Sequence, residues 1–527
     1  MKLKRQTYKK HNKRTKNTRT RHRRTKNTKN TRTRHRKEKT IGGDLNPDIK
    51  NTVSRLIQDR EQNMGRMLNV ACKNPGNCLA LGVYGSYIKQ YFDNFRNLSL
   101  VDNPKIKRIG TASGNGFIIE VPFTKNSFTA YTALKCSAKP GADNLFYEYY
   151  VGKFFINNYL NIFPCFVETY DCYTFNDERS WSMLKNLPND KDNEEEEDEE
   201  DDEEDEEDDE EDEEEEKGQV ATNPNDIDLK NMITRKNISE KRISGNNYDS
   251  EDNEMFGLSC EENKRLCVLI QHFDNFRSLM EEYEKNVLNT KLEIFNILYQ
   301  AYFPLTILKD VYTHYDLHAN NVFLYKPYDG KNYVQMRYHL ISGRIIEFPS
   351  EYIVKIIDYG RNYFDNGLTN TKAILNNYVC NNTRCNPDCG KEFGYSVIQG
   401  DEYNPKAMTK IFPNKKNISQ DLRFAAHFYS FLKTLDLFDT FFYGNKYGST
   451  TIVQASQTGT PEKLGGDNRN IHNIVNFRSF LEAHIDNWNN VIAKIKIKKY
   501  KTWQKKATMD IYEDKRPYTF VVLPDKS

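Results

Sequence analysis

The sequence lacks the features that would place it in a membrane or outside the cell. It contains no stretch of about 18 uncharged apolar residues, the length that a membrane-spanning helix needs. Its N-terminus is basic, but the apolar segment of a secretory signal peptide does not follow. We therefore expect an intracellular protein of the cytoplasm or nucleus that has no membrane span and is not secreted.

A fold built on disulfides is also not expected, although the 527 residues include ten Cys. Cys136, Cys165 and Cys267 have apolar neighbours in the sequence, where a reduced thiol serves as a small hydrophobic group. Thiols of intracellular proteins are normally kept reduced. No disulfide framework is therefore predicted.

A second group of Cys lies close together in the string VCNNTRCNPDCGKEFGY. Cys380, Cys385 and Cys389 could supply three ligands of a zinc ion, with a fourth ligand from elsewhere in the chain. Their spacing does not form a pair of C-x-x-C knuckles, so the alternative is three ordinary thiols in a turn-rich loop. The sequence leaves both interpretations open.

Charge is divided unevenly along the chain, although the formal net charge is only +2. Residues 1–39 contain 19 Lys or Arg and a single acid, and the string TKNTRTRHR occurs there twice. Such a segment buries too little apolar surface to offset the entropy of ordering, so a disordered basic tail is predicted at 1–45. Through residues 1–40 it could bind nucleic acid or another anionic surface non-specifically, direct nuclear import, or simply increase solubility.

The opposite charge is concentrated in an unbroken run of 23 acidic residues at 194–216. With its polar flanks this run predicts a disordered insertion at about 186–254, because the composition offers nothing for a core. Long insertions in surface loops cost little stability, since closure entropy grows slowly with length. The insertion is either a tolerated low-complexity expansion or a segment that competes for a basic surface, such as the N-terminal tail.

The remaining segments are rich in aromatic and aliphatic residues and should fold. The strings GFIIEVPF and FTAYTALKC have the β-branched and aromatic content of paired strands. Apolar residues return at helical spacing in three later segments, 144–160, 289–311 and 419–435. We therefore expect an α+β protein in which a small β-rich unit precedes a larger helical one.

The string THYDLHANNVFLY, at 313–325, places a group of polar residues between a predicted helix and a short apolar run. Loops that are held by rigid elements often display reactive groups. Asp316 and Asn321 can converge there on one ion or one hydroxyl group if the loop curls. Further along, YIVKIIDYGRNYF places Asp358 at the end of a predicted buried strand, where a carboxylate is well positioned to bind a hard cation.

Candidates for binding phosphate lie earlier in the chain. In IGTASGNGFIIEV, glycines would let backbone N–H groups approach an anion closely because they have no β-carbon; they are Gly110, Gly114 and Gly116. In YTALKC, period-two alternation places Ala133 and Lys135 on one face of a strand. Glu148, on the following predicted helix, could pair with the Lys135 ammonium group.

Together these motifs resemble those of protein kinases. HYDLHANNV resembles the catalytic loop H-R-D-L-x-x-x-N, DYG resembles D-F-G, TALK resembles V-A-I-K, and the glycine string resembles the glycine-rich loop. The motifs occur in the order that the family has. The resemblance covers roughly residues 65–520 and implies a bilobal fold. The β-rich small lobe would span 65–270, interrupted by the acidic insertion, and the helical large lobe 271–520.

The resemblance also implies roles for the candidate residues from 313 onward, with ATP and Mg²⁺ as cofactors. Asp316 would be the base that accepts the proton of the substrate hydroxyl, and His314 would brace its loop. Asn321 and Asp358 would hold the magnesium ions. Asp421 resembles the buried aspartate that opens a central helix and ties down the catalytic loop.

Further roles follow for the nucleotide. Lys135, with Ala133 beside it and Glu148 as its ionic partner, would position the α and β phosphates. The segment KRLCVLIQHFDNFRSL resembles the fifth strand and the hinge of a kinase, which places the adenine edge near Gln271, His272 and Phe273. The glycine-rich loop reads G-x-x-x-G-x-G instead of G-x-G-x-x-G, so its phosphate contacts should differ in detail.

The implied reaction is transfer of the γ-phosphoryl group of ATP to a hydroxyl, with Ser or Thr of a protein as the first candidate. His318, a further candidate catalytic residue, stands where common Ser/Thr kinases have a Lys that reaches the γ-phosphate. The form D-L-H-x-x-N is more similar to phosphotransferases for aminoglycosides, choline and other small molecules, so a small-molecule hydroxyl is the second candidate. A third is a pseudokinase scaffold that tethers nucleic acid or partners through its charged tails.

Two other departures from the kinase pattern concern the surroundings of Asp358. Extra residues, at 326–352, separate it from Asn321, and no A-P-E motif follows it, so the ledge that docks peptides cannot be placed. The basic tail and the Asn- and Tyr-rich body are similar to kinase-like proteins of giant DNA viruses. The expected location therefore includes a host cell or a virion.

Overall fold

A computed structural model describes most of the segments that were expected to fold. The described residues are 62–74, 77–113, 116–137, 145–188, 226–238, 265–273, 276–328, 330–371, 416, 418, 421, 424–425, 473–500 and 503–523. They form the predicted α+β protein, in which most strand pairs are antiparallel. The basic tail, the acidic run, Gly114, the three clustered Cys and most of the helix predicted at 419–435 lie outside the described residues.

The first half of the described chain is organised around a six-stranded antiparallel sheet. Before it come helical residues 62–71 (α1), a short hairpin of β1 (Cys72–Asn74) and β2 (Asn77–Cys78), and α2 (Gly82–Tyr91). The sheet strands are β3 (Lys107–Ser113), β4 (Gly116–Lys125), β5 (Phe128–Ser137), β6 (Thr169–Phe175), β7 (Ile233–Lys236) and β8 (Leu266–Gln271). Their order across the sheet is β3-β4-β5-β8-β6-β7.

The two faces of this sheet carry different side chains because successive residues of a strand point in opposite directions. On β4, Phe117, Ile119 and Val121 are buried and join a hydrophobic cluster with Leu134 of β5 and Trp181. The alternating positions of β5 include Ala133 and Lys135, which therefore share the opposite face, as predicted. One face of the sheet thus builds a core, and the other is available to a site.

The helix predicted at 144–160 is present, but it is not uniform. It begins as α3 (Leu145–Tyr150), continues as a π-helical turn at Val151–Phe155 and ends as a 3-10 turn at Ile156–Tyr159. A β-carbon at Gly152 would lie 2.1 Å from Thr169 Oγ1 of β6, so the wide turn packs its glycine directly against the sheet. π-Helical turns inside helices frequently occur at functional sites.

Part of the disordered insertion predicted at 186–254 is folded, and there the prediction was wrong. After α4 (Glu178–Lys185), the chain is described again from residue 226 and forms α5 (Leu229–Met232) and β7. Ile227, Leu229, Met232 and Ile233 are buried in the cluster that contains Trp181. The apolar residues of this short segment thus contribute to the core, although the average composition of the insertion hid them.

The second half begins with β9 (Phe276–Ser278), α6 (Leu279–Lys285) and the 21-residue α7 (Val287–Ile307). Ser278 caps α6 in a capping box with Glu281. Residues 292–306 of α7 are all buried, as expected for a helix that crosses a core. Its polar Gln300 hydrogen-bonds the backbone of Tyr352 and Val354, which supplies partners for a buried amide.

The rest of the described second half is richer in strands than the sequence suggested. It contains β10 (Tyr312–Thr313), β11 (Val322–Tyr325), β12 (Asn332–His339), β13 (Ile345–Ser350), β14 (Ile353–Ile356), β15 (Tyr363–Phe364), α8 (Ile474–Tyr500), β16 (Gln504–Tyr512) and β17 (Thr519–Val522). The extra residues at 326–352 form the hairpin β12–β13, and β16 pairs in parallel with β12. The described part of the second half thus contains long helices, as expected, and also a four-stranded sheet that the sequence did not indicate.

Two further expectations concern membranes and disulfides. Within the described ranges, no helix is long and apolar enough to cross a bilayer. Cys136, Cys165, Cys172 and Cys267 are buried free thiols, as predicted for three of them. Cys72, in contrast, is disulfide-bonded, so the expectation of reduced cysteines does not hold there.

Candidate functional site

The centre of the candidate site is the ammonium group of Lys135 on β5. Its Nζ lies 2.6 Å from Glu148 Oε2 of α3 and 3.3 Å from Asp358 Oδ1, just beyond β14. The ion pair predicted between Lys135 and Glu148 therefore forms, and the structure brings Asp358 to the same cation across 223 positions of sequence. Lys135 joins the sheet, a helix and the loop that follows a strand of the second half.

The loop that contains Asp316 runs between β10 and β11, and a buried carboxylate accepts hydrogen bonds from its backbone. Asp421 is 2% exposed, and its two oxygens accept hydrogen bonds from His314 N at 2.9 Å and Tyr315 N at 3.0 Å. Tyr315 has a φ of 65°, in the left-handed region that non-glycine residues rarely adopt. Such a backbone persists only where the surroundings enforce it, and Asp421 provides that support.

His314 and Asn321 connect the loop to the strand that leads to Asp358. His314 Nε2 lies 2.9 Å from the carbonyl of Ile357, which can only accept, so Nε2 carries the proton. Asn321 Nδ2 donates to the carbonyl of Asp316 at 2.9 Å, and Asn321 O accepts from Ile357 N at 3.1 Å. The loop and the Asp358 segment are therefore positioned as one unit.

Asp358 occupies a strained and strongly charged position. Its φ is 64°, again in the left-handed region. Burial, the largest single influence, raises the pKa of its carboxyl, and the ammonium of Lys135 is the strongest of the groups that lower it. Arg361 and His314 also lower this pKa, whereas Asp316 raises it, so the net pKa lies below the ordinary value for Asp. Asp358 is therefore ionised at neutral pH.

Tyr359 fixes the backbone next to Asp358. Its hydroxyl accepts a hydrogen bond from Val167 N at 3.0 Å and lies 3.1 Å from Val167 O and 3.0 Å from Ile356 O. The ring also approaches the position of a β-carbon on Gly152, at 3.3 Å. Tyr359 is thus held in place by contacts with the π-helical turn and with the segment that leads into β6.

Asn321 and Asp358 could hold a hard cation together with a nucleotide. Asn321 precedes β11 and Asp358 follows β14, and these strands pair antiparallel with Val322 opposite Ile356, so both residues lie at one end of the pair. The amide of Asn321 uses its nitrogen as donor to Asp316, which leaves its oxygen as the ligand atom. Among the described residues no group of three His, Cys, Asp or Glu forms a metal cage. Magnesium commonly combines one or two protein oxygens with phosphate oxygens, so this donor set fits it.

The described part of the glycine-rich segment covers the end of β3 and the start of β4. Gly110 has a φ of 73° and lies where the register of the two strands shifts, between Ile109 and Ser113. Gly116 opens β4 opposite Ser113. A side chain at Gly110 would strain the backbone although no atom lies within 4 Å of its β-carbon position. Two of the three predicted glycines thus flank a bulged hairpin.

The predicted hinge residues direct their side chains to different places. Gln271 ends β8, and its Nε2 lies 3.4 Å from the carbonyl of Ala80. His272 Nε2 is 3.0 Å from Glu120 Oε2 of β4. Phe273 is buried, with its ring centroid 4.4 Å from that of Tyr325. The side chains of these three residues therefore contact other protein groups. Only the backbone of this segment could hydrogen-bond the adenine of a nucleotide.

Two basic side chains approach the carboxylate of Asp316. His318 Nε2 lies 3.8 Å from Asp316 Oδ1, and Arg361 Nη1 lies 3.7 Å from Asp316 Oδ2. Asp316 and His318 are only 4% and 7% exposed, whereas the side chain of Arg361 is 33% exposed. Arg361 thus brings positive charge next to one oxygen of the proposed base, and the ring of His318, which is positive only when protonated, lies next to the other oxygen.

Three residues of the site were missed in the sequence. Arg361 follows Asp358 by three residues, and a count of charges near DYG could have found it. The tyrosine hydroxyl in DYG also signals a hydrogen-bonding role that a phenylalanine lacks. Glu120 had no sequence signal, because only the strand register places it on the same face as Ala133.

Comparison with known proteins does not assign the chain to a family. No protein-family model matches it, and no curated protein matches it.

Proposed function

We propose that this protein is an ATP-dependent phosphotransferase with a bilobal, protein-kinase-like fold that transfers the γ-phosphoryl group to a hydroxyl. The observation that carries the proposal is the bridge from Lys135 to Glu148 and Asp358. A lysine held by one carboxylate and facing a second is suited to neutralise phosphate oxygens next to a cation site. The small lobe would contain the six-stranded sheet and the large lobe α7 and the site loops.

The proposed division of labour assigns proton transfer to Asp316. Its carboxylate lies in a loop whose backbone is fixed by Asp421 and whose carbonyl is held by Asn321. A rigid carboxylate at hydrogen-bonding distance from a bound hydroxyl can accept the proton as the phosphoryl group is transferred. His314 keeps this loop in register with Asp358 through its bond to Ile357.

The cofactors of the proposal are ATP and Mg²⁺. Asn321 and the ionised Asp358 would hold the cation, which would supply charge neutralisation at the phosphates. Lys135 would bind phosphate oxygens from the sheet side, and the bulged β3–β4 hairpin would cover them with backbone N–H groups. These groups act by position and charge, which is the main requirement of phosphoryl transfer.

The hydroxyl of a protein Ser or Thr is our first candidate acceptor. The second is a small-molecule hydroxyl, and the specific observation in its favour is His318. Its Nε2 lies 3.8 Å from Asp316 Oδ1, and by the resemblance to kinases this residue replaces the lysine that would reach the γ-phosphate. A pseudokinase scaffold with charged tails remains the contrasting hypothesis, since a scaffold needs no phosphoryl transfer.

The proposal is tested with purified full-length protein, Mg²⁺ and radiolabelled ATP, screened against protein and metabolite pools. Lys135→Met and Asp316→Asn should each reduce phosphoryl transfer about 10³-fold or more, since each removes a group that acts in the transition state. Lys105→Met removes an exposed lysine whose ion pair is with Asp102, away from these groups, and should leave the rate within a few-fold of wild type. Wild-type protein without transfer to any pool, to itself or to water would refute the enzyme and favour the scaffold.

A further inference from the structure

A cavity lies beside the predicted hinge and apart from the residues proposed for phosphate, metal and proton binding. It has a volume of about 190 Å³ and is bounded by α2, by residues 157–170 and by the hinge residues Gln271, His272 and Phe273. Lys135, Glu148, Asp316, Asn321 and Asp358 do not line it. We call it the hinge cavity. A ligand there would not contact these five residues, although the cavity shares Gln271, His272 and Phe273 with the predicted adenine edge.

The hinge cavity has a buried lysine in its wall. Lys355 of β14 is 2% exposed, and its Nζ donates to the carbonyl of Pro164 at 2.6 Å and lies 3.4 Å from that of Phe166. The same Nζ lies 4.6 Å from the centroid of the Phe273 ring. These partners are dipoles and a π face. No carboxylate of the described residues lies within ion-pair distance of this ammonium.

The charge of Lys355 is therefore not balanced inside the cavity. The other lysine in the wall, Lys89, forms an ion pair with Glu168, so those two charges cancel. Burying an ammonium without a counter-ion is costly, and burial lowers the pKa of Lys355 to about 7, although Cys165 opposes the shift. An anion next to Lys355 would supply the missing charge.

We propose that the hinge cavity binds a small oxyanion, a phosphate or carboxylate group on a small molecule, with Lys355 as its counter-ion. The volume of about 190 Å³ admits such a group, because a cavity of about 150 Å³ is enough for benzene. Ser86 and Asn161 also line the cavity and provide neutral polar groups for the remainder of such a molecule.

The cavity is connected directly to the hinge through Gln271. Gln271 N donates to the carbonyl of Glu168 at 2.8 Å, and Gln271 Oε1 accepts from Glu168 N at 3.3 Å. A ligand that draws Lys89 or Glu168 inward would therefore move the backbone next to the expected adenine edge. This regulatory consequence rests on the proposed nucleotide site, whereas the binding of the anion does not.

The experiment measures binding to the full-length protein by isothermal titration calorimetry at constant ionic strength. The probes are inorganic phosphate and 3-phosphoglycerate, with glycerol as the neutral control. We expect saturable binding of at least one anion to wild type, no binding of glycerol, and at least tenfold weaker anion binding to Lys355→Met. Lys135→Met should bind the anion as wild type does, because it removes only the cleft lysine.

A second pair of variants avoids any change to the buried lysine. Ser86 lies on the exposed side of α2 and lines the cavity, so Ser86→Glu adds a negative charge at its wall and should weaken anion binding. Gln90→Glu adds the same charge to the same helix at a position that does not line the cavity, and should have little effect.

The outcomes separate this proposal from the catalytic one. Saturable binding that Lys355→Met and Ser86→Glu both weaken supports the oxyanion site, whether or not ATP is ever turned over. Absence of saturable binding of both anions overturns the site, as does binding that Lys135→Met abolishes and Ser86→Glu leaves intact, since the anion would then occupy the cleft.

Discussion

Two lysines, Lys135 on β5 and Lys355 on β14, illustrate how neighbouring groups determine whether the charged or the neutral form of an amine is favoured. Lys135 has two carboxylates within 3.3 Å, whereas Lys355 has two backbone carbonyls and an aromatic ring. The side chain of Lys135 is 16% exposed, and Lys355 is 2% exposed. Carboxylates favour the charged ammonium, while burial without them favours the neutral amine.

The difference extends to the surroundings of each lysine. The cleft around Lys135 is assembled from segments far apart in sequence and includes two residues in the left-handed region, Tyr315 and Asp358. Strained backbone of this kind is typical of sites where geometry is enforced for function. Around Lys355 the structure instead offers space and an unbalanced charge. The region around Lys135 holds its own side chains in fixed positions, whereas the region around Lys355 has room for an anionic group.

The largest stability effect should come from the support of the cleft loop. Asp421→Ala removes the acceptor of two buried backbone N–H groups, His314 N and Tyr315 N. Leaving these donors unsatisfied should lower the free energy of unfolding by about 3 kcal/mol, as measured by urea titration. Phosphoryl transfer should also fall, because the loop that carries Asp316 loses its anchor, while anion binding at Lys355 should persist.

A surface aspartate provides the matched control. Asp486 forms an exposed ion pair with Arg344, so Asp486→Ala should change the free energy of unfolding by no more than about 1 kcal/mol. If Asp421→Ala were no more destabilising than Asp486→Ala, the anchoring role of Asp421 would be wrong, and with it the contrast between an enforced cleft and an open cavity.

A smaller effect is expected at Gly152, which lies between the two regions. Its neighbours are Thr169, next to the cavity residue Tyr170, and Tyr359, next to Asp358. Gly152→Ala would place a methyl group 2.1 Å from Thr169 Oγ1, which should cost about 2 kcal/mol of unfolding free energy in a urea titration. Both nucleotide and anion binding should weaken together.

The control for this substitution is a second Gly→Ala change that should not lower the free energy of unfolding. Gly65, in α1, has no atom within 4 Å of its β-carbon position, so Gly65→Ala should be neutral or stabilise by up to about 1 kcal/mol. Replacing Thr169 by Ala in the Gly152→Ala background should recover part of the loss, because the two side chains then no longer overlap. A double variant that is no more stable than Gly152→Ala would show that the strain lies elsewhere.

The sequence predicted most of the geometry around Lys135, because that geometry is encoded in short motifs. Period-two alternation placed Lys135 beside Ala133, and the spacing to the next helix indicated Glu148 as its partner. The string around Asp316 and Asn321 was correctly expected on a loop before a short strand. The catalytic and cofactor roles of these residues stay predictions, since the structure provides their contacts and not their activity.

What could not be predicted depends on contacts between distant segments. The parallel pairing of β12 with β16 joins residues about 170 positions apart, and no local pattern encodes it. The partners of Lys355 lie in the segment around Pro164 and Phe166, nearly 190 positions earlier. In the sequence this lysine interrupts an apolar strand. Only the packing of three segments shows that it is buried, lacks a carboxylate and lines a cavity.

A pH dependence of stability should also distinguish Lys355 from Lys135. The pKa of Lys355 is about 7 in the folded protein and near 10.5 in the unfolded chain, so between these values the unfolded state binds the extra proton. The free energy of unfolding should therefore rise with pH above about 7, by at most about 1.4 kcal/mol per pH unit.

Lys355→Met should remove this slope, because the variant has no amine to protonate. The measurement is the difference in unfolding free energy between wild type and Lys355→Met from pH 7 to 9, which cancels the tyrosines whose pKa burial raises. Cys165, the thiol that influences the pKa of Lys355, itself has a raised pKa and stays neutral between pH 7 and 9 in the folded protein. Added 3-phosphoglycerate should flatten the wild-type slope, since a bound anion raises the pKa of Lys355. A difference that does not vary with pH would mean that the ammonium is already compensated, and the two lysines would then be alike.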